Sequence, residues 1–473
     1  MAWSGASLPW LAWWPSISGL EHAAFVAGGL LLYVLVTRAG HQRRHPAAAI
    51  GWVVGIAAFP YAGVPLFLIF GTRKFVRPAA SIGPPLRPDP VAGVPEWAGS
   101  LLAALGVAAA SVNERVRFLP QGRDSLDALL ALCGTARARL DVCTFILGGD
   151  EVGRAVVQAL TAAAGRGVAC RLIVDAVGSL RTPRAQLAAL RAAGVEVRVF
   201  MPLLHNPLRG RTNLRNHRKL AVADGRQLWA GGQNLADEYF LDSPDAQAWI
   251  DLGFVVEGPV AAVAQTQFDR DWQRSGGRAV EAPRCPDGLM SVAAGGPLVQ
   301  WIPTGPDGPD DSVHALLLAA AYRAQERIIA TTPYFVPDEA LLDALSIACR
   351  RGVRLTLLLP RRSNHRLADI ARERALRCLV RAGADVRLLP RMLHAKVVIV
   401  DRTLALCGSV NLDGRSLFLN YEAMASFYSP AEVDWLVAWA TRLAPTGDVH
   451  PGTPPSVARD LLEGTVRALA FQL

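Results

Sequence analysis

Apolar residues follow three patterns along this chain. From 19 to 36 only Glu21 and His22, both near the start, interrupt an apolar run, and 47–70 gives 24 residues without a charge. Both runs suit the ~20 residues that span a bilayer. Beyond residue 116 the apolar positions gather instead into short runs such as LDVCTFIL, VACRLIVDAVG and VEVRVFMP. Between them lie EVGRAVVQALTAAAGRG and PRAQLAALRAAG, which have helical spacing. The same order returns later, as RIIATTPYFV, EALLDALSIACRRG, VRLTLLLP, HRLADIARERALRCLVRAG and ADVRLLP. Strands alternating with helices predict a mixed α/β sheet in each half.

The repetition extends to polar residues. In MLHAKVVIVD, His394 and Lys396 stand two apart at the head of an apolar run that ends at Asp401. In a strand such a pair shares a face. NHRKLAVAD repeats the spacing with His217, Lys219 and Asp224. Fourteen residues after each histidine begins a small-residue turn ending in Asn234 (GGQN) or Asn411 (GSVN). A period of about 180 residues is an internal duplication and not a solenoid repeat. The chain writes nearly all its positive charge as arginine, with lysine only at 74, 219 and 396. Two of the three lysines therefore occupy equivalent places, which a compact ammonium fits and a planar guanidinium does not.

These patterns divide the chain into a membrane segment at 1–78, a linker at 79–115 and repeats at 116–283 and 284–473. Trp3, Trp10, Trp13 and Trp14 precede the first apolar run, as an interfacial aromatic belt would. Arg38, Arg43 and Arg44 lie between the two runs, while Arg73, Lys74 and Arg77 follow the second. The positive-inside rule cannot satisfy both flanks if both runs cross. Pro60 and Pro65 allow a kinked or re-entrant second segment, which would return both flanks to one side. SIGPPLRPDPVAGVP (81–95) reads as a Pro-rich linker. Residues 97–111 read equally as a juxtamembrane helix or as the first helix of the catalytic part.

Composition adds less. Half the chain is hydrophobic (51%), in keeping with a membrane portion, and the net charge of +9 suits an anionic partner or a GC-rich coding bias. Seven cysteines at scattered positions, none in C-x-x-C spacing, predict neither a disulfide framework nor a zinc site. No cofactor is expected. Two imidazoles and two ammoniums facing one another would surround a phosphodiester without a metal, with amide donors from Asn234 and Asn411.

The paired H-x-K-x4-D motifs with G-[GS]-x-N resemble the phospholipase D superfamily. With WVVGIAAFPYAGVPLFLIFGTRK, the W-x-D of Trp249 to Asp251, TTPYFVPD and GSVNLDGRSLFLNYE, the chain resembles bacterial cardiolipin synthases nearly from end to end. That resemblance implies a phospholipase D-like α/β fold in two duplicated halves, behind N-terminal transmembrane helices. It implies transfer of a phosphatidyl group from one phosphatidylglycerol to another through a phosphohistidine on His217, with His394 as acid and then base. Lys219, Lys396, Asn234 and Asn411 would bind phosphate oxygens. Asp251 and Glu422 would each orient a histidine, Asp245 being the weaker candidate. Asp224 and Asp401 complete the motifs, with a role at the strand ends. The symmetry of the motifs would equally permit His394 as nucleophile. Partners would be phosphatidylglycerol and an anionic phospholipid membrane, not nucleic acid, at the bacterial inner membrane as a multi-pass protein.

Other histidines lack duplicated positions. His205, His314 and His365 read as surface or satisfied core residues, and His22, His41 and His45 as membrane-flank anchors. Tyr334 and Phe335 fit either a lipid entrance or the core, and Arg415 either a head-group contact or a structural ion pair. ARERALRCLVRAG reads as a solvated helix face. Rival functions are a phospholipase passing the intermediate to water, a transferase with another acceptor, a nuclease and a catalytically dead scaffold. The apolar runs oppose the nuclease, and the intact motifs oppose the scaffold.

Overall fold

The computed structural model describes residues 18–39, 46–71, 91–202, 214–278, 295–306 and 311–469. Trp3, Trp10, Trp13, Trp14, His41, Arg43, Arg44, His45, Arg73, Lys74, Arg77, the 81–90 part of the linker, His205 and Cys285 lie outside these residues. The chain forms two compact units, one N-terminal and one holding both repeats.

In the N-terminal unit the second apolar run is not one helix. Gly19–Ala39 is a 21-residue helix, while the run folds into Pro46–Ala58 and Pro60–Phe70. Pro60 has no N–H to continue the helix, and Phe59 leaves helical geometry at ψ 62°. The two short helices then turn back on each other. The rings of Trp52 and Phe67 lie 5.4 Å apart, and a Cβ on Gly63 would come within 2.7 Å of the Gly55 carbonyl oxygen. Tyr33 of the first helix packs on Phe67 at 5.1 Å. Of the described helices, one is long and apolar enough to cross a bilayer, over Gly19–Thr37.

In the larger unit each repeat builds a sheet of the same strand order. The first runs 115–119, 253–257, 227–231, 220–223, 139–144, 169–175, 196–200. The second runs 298–304, 422–427, 404–408, 396–400, 327–331, 354–360, 385–389. In both, the last three strands are mutually parallel, joined through helices, and the rest are antiparallel. The expected α/β architecture in two duplicated halves is therefore present.

The two-residue period of a strand divides the core into layers. Val397 and Ile399 enter a core shared by both sheets, with Leu220, Val222, Phe254 and Phe427. Val398 and Val400 instead face the helices covering the second sheet. Because one apolar layer serves both repeats, the boundary near 284 separates repeats and not domains. The linker also ends earlier than its sequence suggests. Helix Glu96–Ala104 buries Ala98 and Leu102 in the second repeat's core, and Ser111–Val112 pairs with Leu298 and Val299. This resolves 97–111 as part of the repeat unit.

Candidate active site

Each motif enters its sheet from a loop that first crosses to the other repeat. Asn216 bridges Tyr421, and the His217 N–H donates to the Tyr421 carbonyl at 2.9 Å. Reciprocally, Ile250 bridges Leu393, and the His394 N–H donates to the Ile250 carbonyl at 2.7 Å. Those partner segments carry the acids at the next residue. His217 Nδ1 lies 2.9 and 3.0 Å from the two Glu422 oxygens, and His394 Nδ1 lies 2.6 Å from Asp251 Oδ2. So each imidazole is oriented by a carboxylate of the opposite repeat. Neither repeat is chemically complete alone.

The electrostatics follow from burial. Burial pushes His217 down to about 4, against the opposing pull of Glu422. It pushes His394 to about 3, helped by Lys396. Both imidazoles are thus neutral near pH 7, and a ring whose Nδ1 faces a carboxylate carries its proton there. Burial alone would raise Glu422, but His217, Lys219 and a 2.5 Å hydrogen bond from Ser409 Oγ hold it below the usual range. Asp251 is likewise raised by burial and brought lower overall by His394 and Lys396. Lys219 is driven well below its ordinary value, and Lys396 to about 8, both chiefly by desolvation. The charge on Lys396 reaches His217, and that on Lys219 reaches His394, so the motifs form one electrostatic site. An arriving phosphate monoanion would favour the charged form of both lysines.

The two lysines are placed differently. Lys219 Nζ donates to the His217 carbonyl at 2.7 Å and sits 5.5 Å from the Phe145 ring centre. Lys396 Nζ reaches the His394 carbonyl too, and lies 2.7 Å from Nδ1 and 3.0 Å from Nε2 of that ring. With Nδ1–H directed at Asp251, the lone pair open to Lys396 is on Nε2. His217 Nε2 has no hydrogen-bond partner among the described residues.

Asn234 and Asn411 are at the site but already engaged. Asn234 Nδ2 donates to the Tyr239 hydroxyl at 2.7 Å, and its Oδ1 accepts from Ile146 N at 3.3 Å. Asn411 Nδ2 donates to Ser416 Oγ at 3.2 Å, leaving a buried Oδ1 unpartnered among the described residues. Each amide keeps one N–H without a partner among the described residues.

Asp224 and Asp401, grouped with the catalytic residues by the motif, are not brought into the cluster but hold the strand ends, the role their position suggests. Each lies five positions beyond its lysine, about 17 Å along an extended strand. Both adopt a left-handed turn (φ 53°), a conformation Asp tolerates. Asp224 accepts the backbone N–H groups of Arg137, Ala138 and Arg139 at 2.8–2.9 Å. Asp401 does the same for Gln325, Glu326 and Arg327 at 2.8–3.0 Å. They tie a hairpin to the start of the neighbouring strand. Asp245 and His365 are exposed, and His314 pairs with Asp338 at 3.0 Å.

Several site residues had no role in the motif reading, Trp249 entering it only within W-x-D. Tyr239 and Trp249 pack on His394, with ring centres at 5.0 and 5.4 Å, and Phe145 packs on His217 at 5.0 Å. Arg218, almost fully buried, grips both Asp271 oxygens (2.7 and 2.6 Å) and donates to the carbonyls of Glu422 and Thr304. It ties the His217 loop to the strand carrying its acid. Tyr239 follows Asn234 by five residues as Ser416 follows Asn411, a correspondence that aligning the repeats would have revealed.

The family model described as "Cardiolipin synthase, PLD-like domain" matches residues 129–272 and 317–444. Cardiolipin synthase A of Pseudomonas putida (strain W619) is 33% identical over 398 residues, covering 80% of this chain and 82% of that protein. Cardiolipin synthase A of Klebsiella pneumoniae subsp. pneumoniae is 32% identical over 421 residues, covering 83% and 85%. In fold, the chain is similar to phosphatidylserine synthase of Haemophilus influenzae Rd KW20, with a TM-score of 0.60 and 15% identity over 80% of this chain and all of that one. On the family model and these relatives, the chain belongs to the PLD-like cardiolipin synthase family.

Proposed function

We propose that this phosphatidyltransferase joins two phosphatidylglycerol molecules into cardiolipin and glycerol through a phosphohistidine at His217. The observation that carries the assignment is the asymmetry of the rings: among the described residues Nε2 of His217 is unpartnered, whereas Nε2 of His394 lies 3.0 Å from Lys396 Nζ. With its Nδ1–H directed at Glu422, His217 presents an Nε2 lone pair to phosphorus. The N–P bond forms as the P–O bond to the first glycerol breaks, and His394 gives that oxygen its proton. A bound phosphate anion favours the imidazolium, so His394 takes up that proton from water as substrate binds. His394 then takes the proton of a hydroxyl on the second phosphatidylglycerol. That oxygen bonds to phosphorus, and the P–N bond breaks. The charged lysines, with the remaining N–H of Asn234 and Asn411, hold the non-bridging oxygens throughout.

Detergent-purified protein given phosphatidylglycerol alone, with products resolved by thin-layer chromatography, tests this reading. Cardiolipin and glycerol are expected; phosphatidic acid and glycerol would make the enzyme a hydrolase instead. Mass spectrometric mapping of a trapped phosphohistidine checks the roles, and modification of His394 would reverse them.

The N-terminal unit belongs in the bacterial inner membrane on this reading. Helix Gly19–Ala39 crosses, while 46–58 and 60–70 form a re-entrant hairpin, supported by the Trp52–Phe67 contact at 5.4 Å. That narrows the multi-pass expectation to one crossing and returns the arginines at 43–44 and 73–77 to one side. Cysteine labelling of the two flanks on opposite faces would refute it.

A further inference from the structure

The exposed loops at the site end of the sheets repeat as the motifs do. Strand Ala169–Asp175 runs into loop 176–183, and its counterpart Arg354–Pro360 runs into loop 361–365 and helix Arg366–Ala382. Each connection exposes large apolar side chains that a water-facing turn has no need of: Val177 (45%) and Leu180 (66%) in the first, Leu367 (52%) in the second. Each also carries exposed arginines, Arg181 and Arg184 on one side and Arg361, Arg362 and Arg366 on the other. No acidic residue occurs in 176–186 or 361–368. Arg361 ion-pairs with Asp448, whereas Arg181, Arg184, Arg362 and Arg366 have no carboxylate partner among the described residues.

Both loops lie close to the catalytic imidazoles. Ser179 Oγ donates to the Phe145 carbonyl at 2.9 Å, and Gly178 packs so closely on Phe145 that a Cβ would meet its oxygen at 2.2 Å. Phe145 in turn lies against His217. Across the site, the Tyr334 hydroxyl donates to Asn364 Oδ1 at 2.5 Å, and its ring packs on His365 at 5.2 Å. Tyr334 is near enough to Tyr239 to affect its ionisation, and Tyr239 packs on His394. One apolar and basic loop thus flanks each histidine.

We propose that these two loops are the bilayer-docking rim of the catalytic unit. Val177, Leu180 and Leu367 enter the acyl boundary of an anionic phospholipid surface, while Arg181, Arg184, Arg362 and Arg366 hold its phosphates. Aliphatic tips beside guanidiniums match that interface in both polarity and charge. Neither 176–184 nor 361–367 holds a Phe, Tyr or Trp on which a nucleobase could stack. Docking at both ends would place the cleft at the depth of lipid phosphates, so that substrate need not leave the bilayer. The proposal deepens the lipid-substrate reading above and rests on it.

The test uses the full chain reconstituted in vesicles, with an environment-sensitive dye on Leu180→Cys. In phosphatidylcholine doped with phosphatidylglycerol the emission shifts to the blue. The shift is lost in phosphatidylcholine alone, at high salt, or when Arg181, Arg184, Arg362 and Arg366 are changed to Gln. Emission that stays water-like in both lipids overturns the rim. Activity gives the second reading. The Gln variants weaken the dependence on vesicle surface by about fivefold per arginine, yet keep kcat on monomeric short-chain phosphatidylglycerol. Equal loss on both substrates overturns docking as their role. If no phosphatidylglycerol is turned over by wild type, the functional reading fails while the dye still decides the rim.

Discussion

His217 and His394 occupy equivalent motif positions, yet their surroundings have diverged. The first repeat places Tyr239 and Trp249 against His394, while the corresponding positions of the second hold Ser416 and Asn420, which bond Asn411 and Glu422. Between histidine and lysine stands Arg218 in one motif and Ala395 in the other, and only Arg218 reaches across to hold the acid's strand. One imidazole therefore has an Nε2 without a partner among the described residues and a tightly strutted acid, while the other sits in an aromatic cage with an ammonium on its ring. Duplication supplied two copies of one tool, and the walls around them distinguish their tasks. Removing the tools is the strongest way to break the comparison. His217→Ala is expected to lose roughly 10^5-fold in turnover and form no phosphoenzyme. His394→Ala loses as much turnover with phosphatidylglycerol, but still forms phosphohistidine from a donor whose leaving group needs no proton. Radiolabelled donor followed by acid-labile phosphate detection separates the two outcomes, and identical behaviour would deny the division of labour.

The acids come next. Glu422→Gln keeps the shape beside His217 while removing the charge that fixes its tautomer, and roughly 10^3-fold in kcat is expected to go with it. Asp251→Asn does the same to His394. Because each acid serves the histidine of the other repeat, Glu422→Gln should slow phosphoenzyme formation from any donor. Asp251→Asn should slow it only where the leaving group needs a proton, and should slow its resolution as well. Single-turnover kinetics assign the steps; the reverse pattern would mean that the oriented ring is not the one each acid touches.

Titration sharpens the same contrast by about tenfold per pH unit. His217 must be neutral to attack, so kcat/KM should rise with pH through about 4. Lys396 must be charged, so kcat/KM should fall above about 8, while kcat holds to higher pH because bound phosphate restores the ammonium. Stability follows the histidines. Their folded values lie below the unfolded value of about 6.5, so the unfolded chain binds more protons between the two. Their contribution is complete above about 6.5 and lost as pH falls toward 4 and then 3. Thermal melting from pH 7 to 4 checks the sign.

The duplication, the alternation of strands and helices and the residues of both motifs were legible because each rests on local spacing. Glu422 and Asp251 were legible as candidates, but not the crossing that pairs each with the other repeat, since that depends on how two sheets share a core. The second apolar run reads as a span by composition alone. Pro60 was legible as a place to kink, whereas the Gly55–Gly63 approach that folds the run back was not, since hydropathy does not register it. Tyr239 was hidden because a lone aromatic after a turn looks like core until its hydroxyl is found on Asn234.

Tyr239 also tests how far the walls matter. Burial keeps its phenol protonated, and with Asn234 donating to its oxygen, its own proton is left to donate into the site. Tyr239→Phe keeps the ring on His394 and removes that donor, so about tenfold in kcat is expected to be lost, near the worth of one hydrogen bond. Tyr239→Ser copies the second repeat and removes the cage as well, and should cost more. Ser416→Ala, on the polar side, should cost less than either. Equal losses at 239 and 416 would erase the asymmetry.

The smallest effect on chemistry is expected where the motif itself is most misleading. Asp224 and Asp401 complete the repeated pattern as visibly as the lysines, yet each carboxylate is occupied by three backbone N–H groups at the far end of its strand. A side chain there can act on the phosphate only by holding the hairpin that carries the lysine. Asp224→Asn should therefore leave kcat per folded molecule nearly unchanged and lower stability by about 1–3 kcal/mol, because an amide cannot accept all three N–H groups as well. Thermal unfolding beside active-site titration reads both quantities. A variant that melts normally but turns over slowly would return Asp224 to the catalytic set, and with it the view that repeated motifs mark chemistry at every position.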